Sequence, residues 1–348
     1  MGTHKRFMVF LLGLFFGFSF MIAGFSQPVF AADTITIRCG WTFPQQHPMG
    51  AAHQIWANKI EKDSGGRVKM EHYWSSSLVS MRDSYTELVK GVADVSEFTG
   101  HYVREGFLIE KAMSLLFYGV PTNSEMAYRI YGMLCDKYPE ILKEFSAVKV
   151  MAYFSPPAVD LMTRNKPVRK IDDIRGLTLK TSGDMAKIVN ALGGEGASLP
   201  ISETYMALQK GTIDGALVGY EGLKSFRFAE VVKYYTILDS GTWPSGHVAM
   251  NLDTYNKLPP DIRKIFDDNI DFYGKTMKEQ WDKANNEGKK FGEEKGVEFI
   301  TLPKVEMDKF YTATKNVVLE QAKRLDDMGL PGTKIVHDAR ALIDQEMK

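Results

Sequence analysis

The residues in this chain that could do chemistry lie in four short runs where an aromatic ring sits beside a polar group. These are Gly40-Trp41-Thr42-Phe43, Phe98-Thr99-Gly100-His101-Tyr102 with Glu97 just ahead, Tyr220-Glu221, and Thr242-Trp243-Pro244-Ser245. Rings next to isolated hydrogen-bonding groups suit the wall of a small-molecule pocket, which needs apolar area to bury and a few polar atoms to orient the guest. The patterns of catalysis are missing: there is no nucleophile elbow, no HExxH helix and no GxxxxGKS loop. Gly193-Gly194-Glu195-Gly196 follows a helical stretch instead of opening one, so it reads as a turn and not as a dinucleotide loop. His47 and His53 have Pro48 between them and the wrong spacing to share a helical face as metal ligands. Asp172-Asp173 and Asp267-Asp268 read as helix-end and surface charges. The expectation is a binding protein without catalytic residues, metal or cofactor.

Strand-like and helix-like segments that alternate from residue 33 onward must position these runs, which predicts an α/β architecture with largely parallel sheets. Strands are expected at 34–39, 67–71 and 93–98, with helices at 48–62 and up to 90 between them, building a first lobe. After the break at Ser155-Pro156-Pro157, strands at 158–163, 176–181, 197–199 and 214–219, with helices near 184–192 and 202–210, build a second. Segments 234–239 and 247–252 read as strands running back toward the first lobe, so the connections form a hinge. Residues 261–295 carry no proline and repeat apolar residues at helical spacing, which predicts one continuous helix long enough to span both lobes. A last strand at 298–302 and closing helices at 305–328 and 333–347 complete the chain. Every aromatic-polar run falls at a predicted strand end, where open α/β sheets bind ligands.

Composition bounds the partners. The chain has 348 residues, 44% of them hydrophobic and 25% charged, which suits two packed lobes and excludes disordered and fibrous classes. Lys+Arg 43 against Asp+Glu 43 gives no net charge, so nucleic acid is not the expected partner. His4, Lys5 and Arg6 precede an uncharged run over 7–25 and the small-residue site Val29-Phe30-Ala31. This reads as a signal peptide over 1–31 and export of the rest, with a retained membrane anchor as the alternative. Cys39 and Cys135 are the only cysteines and read as two buried, unpaired thiols.

Asn165-Lys166-Pro167-Val168, Ile171-Asp172-Asp173-Ile174-Arg175-Gly176-Leu177 and the run Glu203-Thr204-Tyr205-Met206-Ala207-Leu208-Gln209-Lys210-Gly211-Thr212-Ile213-Asp214-Gly215 carry a family resemblance. The last run is similar to the E-x-Y-x-A-L-Q-x-G-x-I-D-G signature of the substrate-binding proteins of tripartite ATP-independent periplasmic (TRAP) transporters. Asn251-Leu252-Asp253 and Leu258-Pro259-Pro260-Asp261-Ile262 match the family's approach to its long helix, so the resemblance covers about 33–330. It implies a two-lobe periplasmic-binding-protein (Venus flytrap) fold, with 32–155 plus about 247–282 as lobe I and 156–246 plus about 283–348 as lobe II. The implied function is capture of a small solute in the periplasm and its delivery to membrane permease subunits; a periplasmic sensory protein of the same fold is the alternative.

Relatives mostly hold carboxylates through an arginine after a G-L-K-x strand, and the resemblance places Lys180 there, in Gly176-Leu177-Thr178-Leu179-Lys180-Thr181. Lysine offers a point charge instead of a two-pronged clamp. Asp160 stands where many relatives place a basic residue, either to pair Lys180 or to receive an amine or hydroxyl of the solute. The expected ligand wall is Trp41, Phe43, Glu97, Phe98, Asp160, Lys180, Tyr220, Glu221 and Trp243. The expected solute is a small organic acid, with hydroxyl or amino groups, or a ring stacked on Trp41, Phe98 or Trp243, as further features.

Overall fold

Period-two alternation at the start of the described residues becomes β1 (Ile35–Gly40), with Ile37 and Cys39 turned into the core. The computed structural model describes residues 34–116, 124–155, 158–181, 183–238, 240 and 243–346, so the expected signal peptide lies outside the described residues. Two sheets organise the molecule. The first has the order β2 (Val68–Tyr73), β1, β3 (Val95–Thr99), β10 (Gly246–Asn251), β4 (Val148–Phe154). The second runs β11 (Glu298–Thr301), β9 (Tyr234–Ile237), β5 (Asp160–Thr163), β8 (Gly215–Val218), β6 (Thr178–Thr181), β7 (Glu195–Ser198).

Both sheets are mixed, which corrects the expectation of largely parallel ones. β10 pairs antiparallel with β3 and β4, and β5 pairs antiparallel with β8 and β9. These are strands that arrive directly from the other sheet, and a direct crossing needs no helical crossover to bring the chain back to the same end. A second correction concerns 234–239: β9 does not return to the first sheet but stays in the second, between β5 and β11. Its Tyr235 is fully buried there, with the hydroxyl donating to Asp160 at 3.0 Å. The return is made by β10.

The predicted single helix over 261–295 is two helices, Pro260–Asp268 and Ile270–Glu294. Asn269 interrupts them because its amide donates to the Ile265 carbonyl (2.9 Å) and to Asp63 (3.0 Å), closing the first helix with its own side chain. The second helix has 25 residues. At 1.5 Å per residue it is about 37 Å long. It packs on the helix Pro48–Asp63 beside the first sheet and on Glu221–Ser225 beside the second, so it bridges both. Ile201–Lys210 ends at Gly211 in the left-handed conformation (φ 77°), which glycine adopts without a Cβ clash. Thr204 and Leu208, four apart, form its buried face; Tyr205 is half-buried and reaches Glu230 with its hydroxyl. Both cysteines are buried and free. No helix among the described residues is long and apolar enough to cross a membrane.

The bridge helix approaches its neighbour closely at Gly288, where a Cβ would lie 2.0 Å from the Tyr220 carbonyl oxygen. Alanine is the better helix former by about 1 kcal/mol. Here the backbone contact wins: Gly288→Ala is expected to destabilise by about 1.5 kcal/mol net, since a clash with main chain cannot be relieved by a rotamer change. The urea midpoint measures it, and a stabilised variant would show that the two helices can part freely.

Candidate functional site

Four strands that run parallel within their sheets end at one crevice. The turn after β1 brings Thr42 and Phe43, β3 brings Glu97 and Phe98, β6 brings Lys180 and Thr181, and β8 leads through Gly219 to Glu221. The crevice is a cleft of about 1120 Å³ between the two sheets. A second hollow, of about 390 Å³ beside Asp172 and Arg175, lies among exposed charges and encloses no buried ionisable group.

Of the nine expected wall residues, Phe43, Glu97, Phe98, Lys180 and Glu221 line the cleft. Trp41, Asp160, Tyr220 and Trp243 do not. Trp41 continues the parity of Ile37 and Cys39 and so enters the core, stacked 3.9 Å from His53 with its indole donating to His72 at 2.7 Å. Asp160 accepts from the Tyr235 hydroxyl (3.0 Å) and the Leu238 amide (2.8 Å). Tyr220 stacks on Tyr235 at 4.6 Å, beneath the wall. Trp243 packs into the apolar cluster shared with the helices Leu108–Ser114 and Ser124–Lys137.

Arg82, Asp83, Arg104, Lys111 and Asp184 stand on the more open part of the cleft wall, while Lys180, Glu221, Glu97 and His47 are buried, and burial sets their charge. Lys180 is only 3% exposed. Desolvation pulls its pKa down to about 8, against the opposing pull of Glu221. Burial pushes Glu221 up to about 7, with Asp160 adding to the rise and Lys180 offsetting it. Burial likewise pushes Glu97 up to about 7, although its Oε1 accepts from the Thr42 amide (2.6 Å) and hydroxyl (2.7 Å). Its Oε2 lies 3.5 Å from His53 Nε2, and His53 Nδ1 is 2.6 Å from the Tyr273 hydroxyl. Desolvation lowers His101, on the cleft wall, to about 4. At neutral pH the buried part of the site therefore holds a cation, two carboxyls close to their midpoints and neutral imidazoles.

One corner is aromatic. Phe43 stacks on His47 at 4.2 Å, and His47 meets Trp281 edge-on at 5.3 Å and Phe226 at 5.6 Å. Burial lowers His47 to about 3, so it acts as a neutral ring. Sequence reasoning misses this corner. It weighs His47 only as a metal ligand, although the place of His47 directly before the Pro48 helix start is an available signal. Trp281 follows the apolar period of its helix, which hides a cleft residue among core ones. Phe226 ends a five-residue helix that leaves no periodic trace.

Residues 39–324 match the family described as bacterial extracellular solute-binding protein, family 7 (DctP). A solute-binding protein of Chromohalobacter salexigens is 25% identical over 204 residues, 58% of this chain and 60% of that protein. The chain's matches span about three-fifths of the length of the first such relatives, 60% and 62%. A TRAP periplasmic solute-binding protein from Desulfovibrio salexigens superposes with a TM-score of 0.75 at 25% identity, covering 89% of this chain and 96% of that one. One from Rhodoferax ferrireducens, in complex with copurified benzoate, gives a TM-score of 0.81 at 24% identity, covering 90% and 98%.

Proposed function

Because the chain belongs to the DctP family of bacterial extracellular solute-binding proteins, we propose that it captures a small organic acid in the periplasm and delivers it to the membrane permease of a TRAP transporter. Residues 1–31 then serve as the signal peptide that exports it. The observation that carries the reading is Lys180, an ammonium taken out of water on the wall of a cleft with an aromatic corner. A desolvated ammonium attracts an anion strongly, and a carboxylate entering the cleft beside Lys180 meets that attraction. The rings of Phe43, His47 and Trp281 give the rest of the solute an apolar surface.

Capture works by closure. The cleft walls come from different sheets, so a solute touching both favours the closed arrangement over the open one by its differential contacts. Glu97 and the Thr42 turn receive it from the first sheet, and Lys180 and Glu221 from the second. No chemistry on the solute is needed.

A thermal-shift screen of the purified chain against aliphatic acids, aromatic acids, sugar acids and amino acids tests this. A solute at 100 times its Kd adds about 2.7 kcal/mol of stability. A clear shift with at least one class is expected, and the absence of any shift across the carboxylate panel would defeat the proposal.

A further inference from the structure

Four buried polar atoms of cleft-lining residues have no hydrogen-bond partner among the described residues: His101 Nδ1, Thr181 Oγ1, Glu221 Oε2 and Trp281 Nε1; Glu97 Oε2 faces His53 instead. Buried polar groups in proteins are paired almost throughout, so such a concentration describes what a guest must bring. An indole N–H can only donate, and an ionised carboxylate can only accept. The Trp281 indole therefore calls for an acceptor on the guest, and Glu221, when ionised, for a donor.

Charge narrows the class. Glu221 is faced by Asp160 from β5, Lys180 from β6, Tyr235 from β9 and Asn285 from the bridge helix, whose side-chain oxygen accepts from the Glu221 amide at 3.2 Å. Of these ionisable groups Glu221 and Lys180 line the cleft, one carboxyl and one amine, while Asp160 lies outside its lining. A plain carboxylate seated beside Lys180 would place a second acid near Glu221, whereas a molecule carrying both signs also offers Glu221 a cation.

We propose, on the basis of the receptor reading above, that the solute is a zwitterion whose carboxylate is held by Lys180 and the Trp281 N–H and whose ammonium is held by Glu221. Proton traffic follows from this arrangement. Burial and Asp160 keep the empty Glu221 near its midpoint at about pH 7. An arriving ammonium makes it shed its proton, and an arriving plain acid makes it keep one.

Calorimetric titration of the chain produced from its full-length sequence, with sets sharing one carbon skeleton, tests the assignment. Suitable sets are 3-phenylpropionate, phenyllactate and phenylalanine; cyclopentanecarboxylate and proline; butyrate and 4-aminobutyrate. At least one amino acid is expected to bind about tenfold tighter than its des-amino and hydroxy counterparts and to release protons, read from two buffers of different ionisation enthalpy. Glu221→Gln is expected to lose that tenfold preference while its thermal unfolding without solute stays unchanged, which separates lost recognition from lost folding. Plain or hydroxy acids binding as tightly as the amino acids in every set that binds, or proton uptake with the amino acid, would overturn the zwitterion and leave the receptor standing. Neither heat nor a thermal shift with any member, acid or zwitterion, would overturn both.

Discussion

Replacing Lys180 with methionine lowers the affinity for a carboxylate solute by about 100-fold while leaving the ligand-free protein at least as stable. The loss follows from desolvation. Lys180 is 3% exposed on the cleft wall, so its attraction for a carboxylate is not screened by solvent. Removing one partner of a buried charge pair costs about 2–5 kcal/mol, and 100-fold is about 2.7 kcal/mol. The unliganded protein has no such dependence. Its folded state disfavours the charged amine, as the pull down to about 8 shows, and methionine keeps the straight apolar stem without that burden. Glu221, already pushed up to about 7 by burial, takes a proton when its neighbour is gone.

The pH dependence of stability provides an internal control. A lysine whose pKa falls on folding binds fewer protons folded than unfolded between about pH 8 and its ordinary 10.5. Stability therefore rises with pH across that window, and the methionine variant lacks this rise. Calorimetry for affinity and urea melts at pH 8 and 10 measure both. Unchanged affinity would remove Lys180 from the site, and a collapse of stability in the same variant would make it a structural residue instead.

Much of this arrangement is legible in the sequence, for definite physical reasons. β1, β3, β6 and β8 announce themselves by alternation or by short apolar runs between turn residues, and the crevice beyond their carboxyl ends follows from topology. Glu97 and Glu221 stand out as acids beside aromatic residues at strand ends, and Lys180 is placed by the family resemblance. Trp41 is misplaced because it stands one residue past β1, where parity and not proximity decides which side it faces. Tyr220 and Asp160 are misplaced because β9 enters the second sheet and engages both, a long-range pairing that leaves no local mark. The break at Asn269 hides for a similar reason: its partner Asp63 lies on a distant helix. Phe226 and Trp281 need the assembled cleft before either can be told from core.

Asparagine or valine at position 183 weakens solute binding by about 30-fold and keeps the saturated protein from contracting. Gly183, just past β6, faces the loop that follows β3; a Cβ there would lie 2.5 Å from the His101 carbonyl oxygen. Both residues line the cleft, so this is where the two walls touch. The contact runs from backbone to backbone, and no side chain can swing aside to admit the added carbon. Overpacking of this kind costs about 1–3 kcal/mol, and 30-fold is about 2 kcal/mol. Strain at φ +50° is a separate cost that burdens open and closed forms alike, and it appears as lost stability without solute. Asparagine tolerates the left-handed region and so carries the clash with little of that strain. If closure against His101 is what retains the solute, Gly183→Asn loses affinity nearly as much as Gly183→Val while melting close to the native temperature. Small-angle scattering of the saturated variants should then keep the radius of the empty protein. Native affinity in the asparagine variant would mean that the walls can meet without this contact, and retention of the solute would have to rest on Lys180 and the aromatic corner alone.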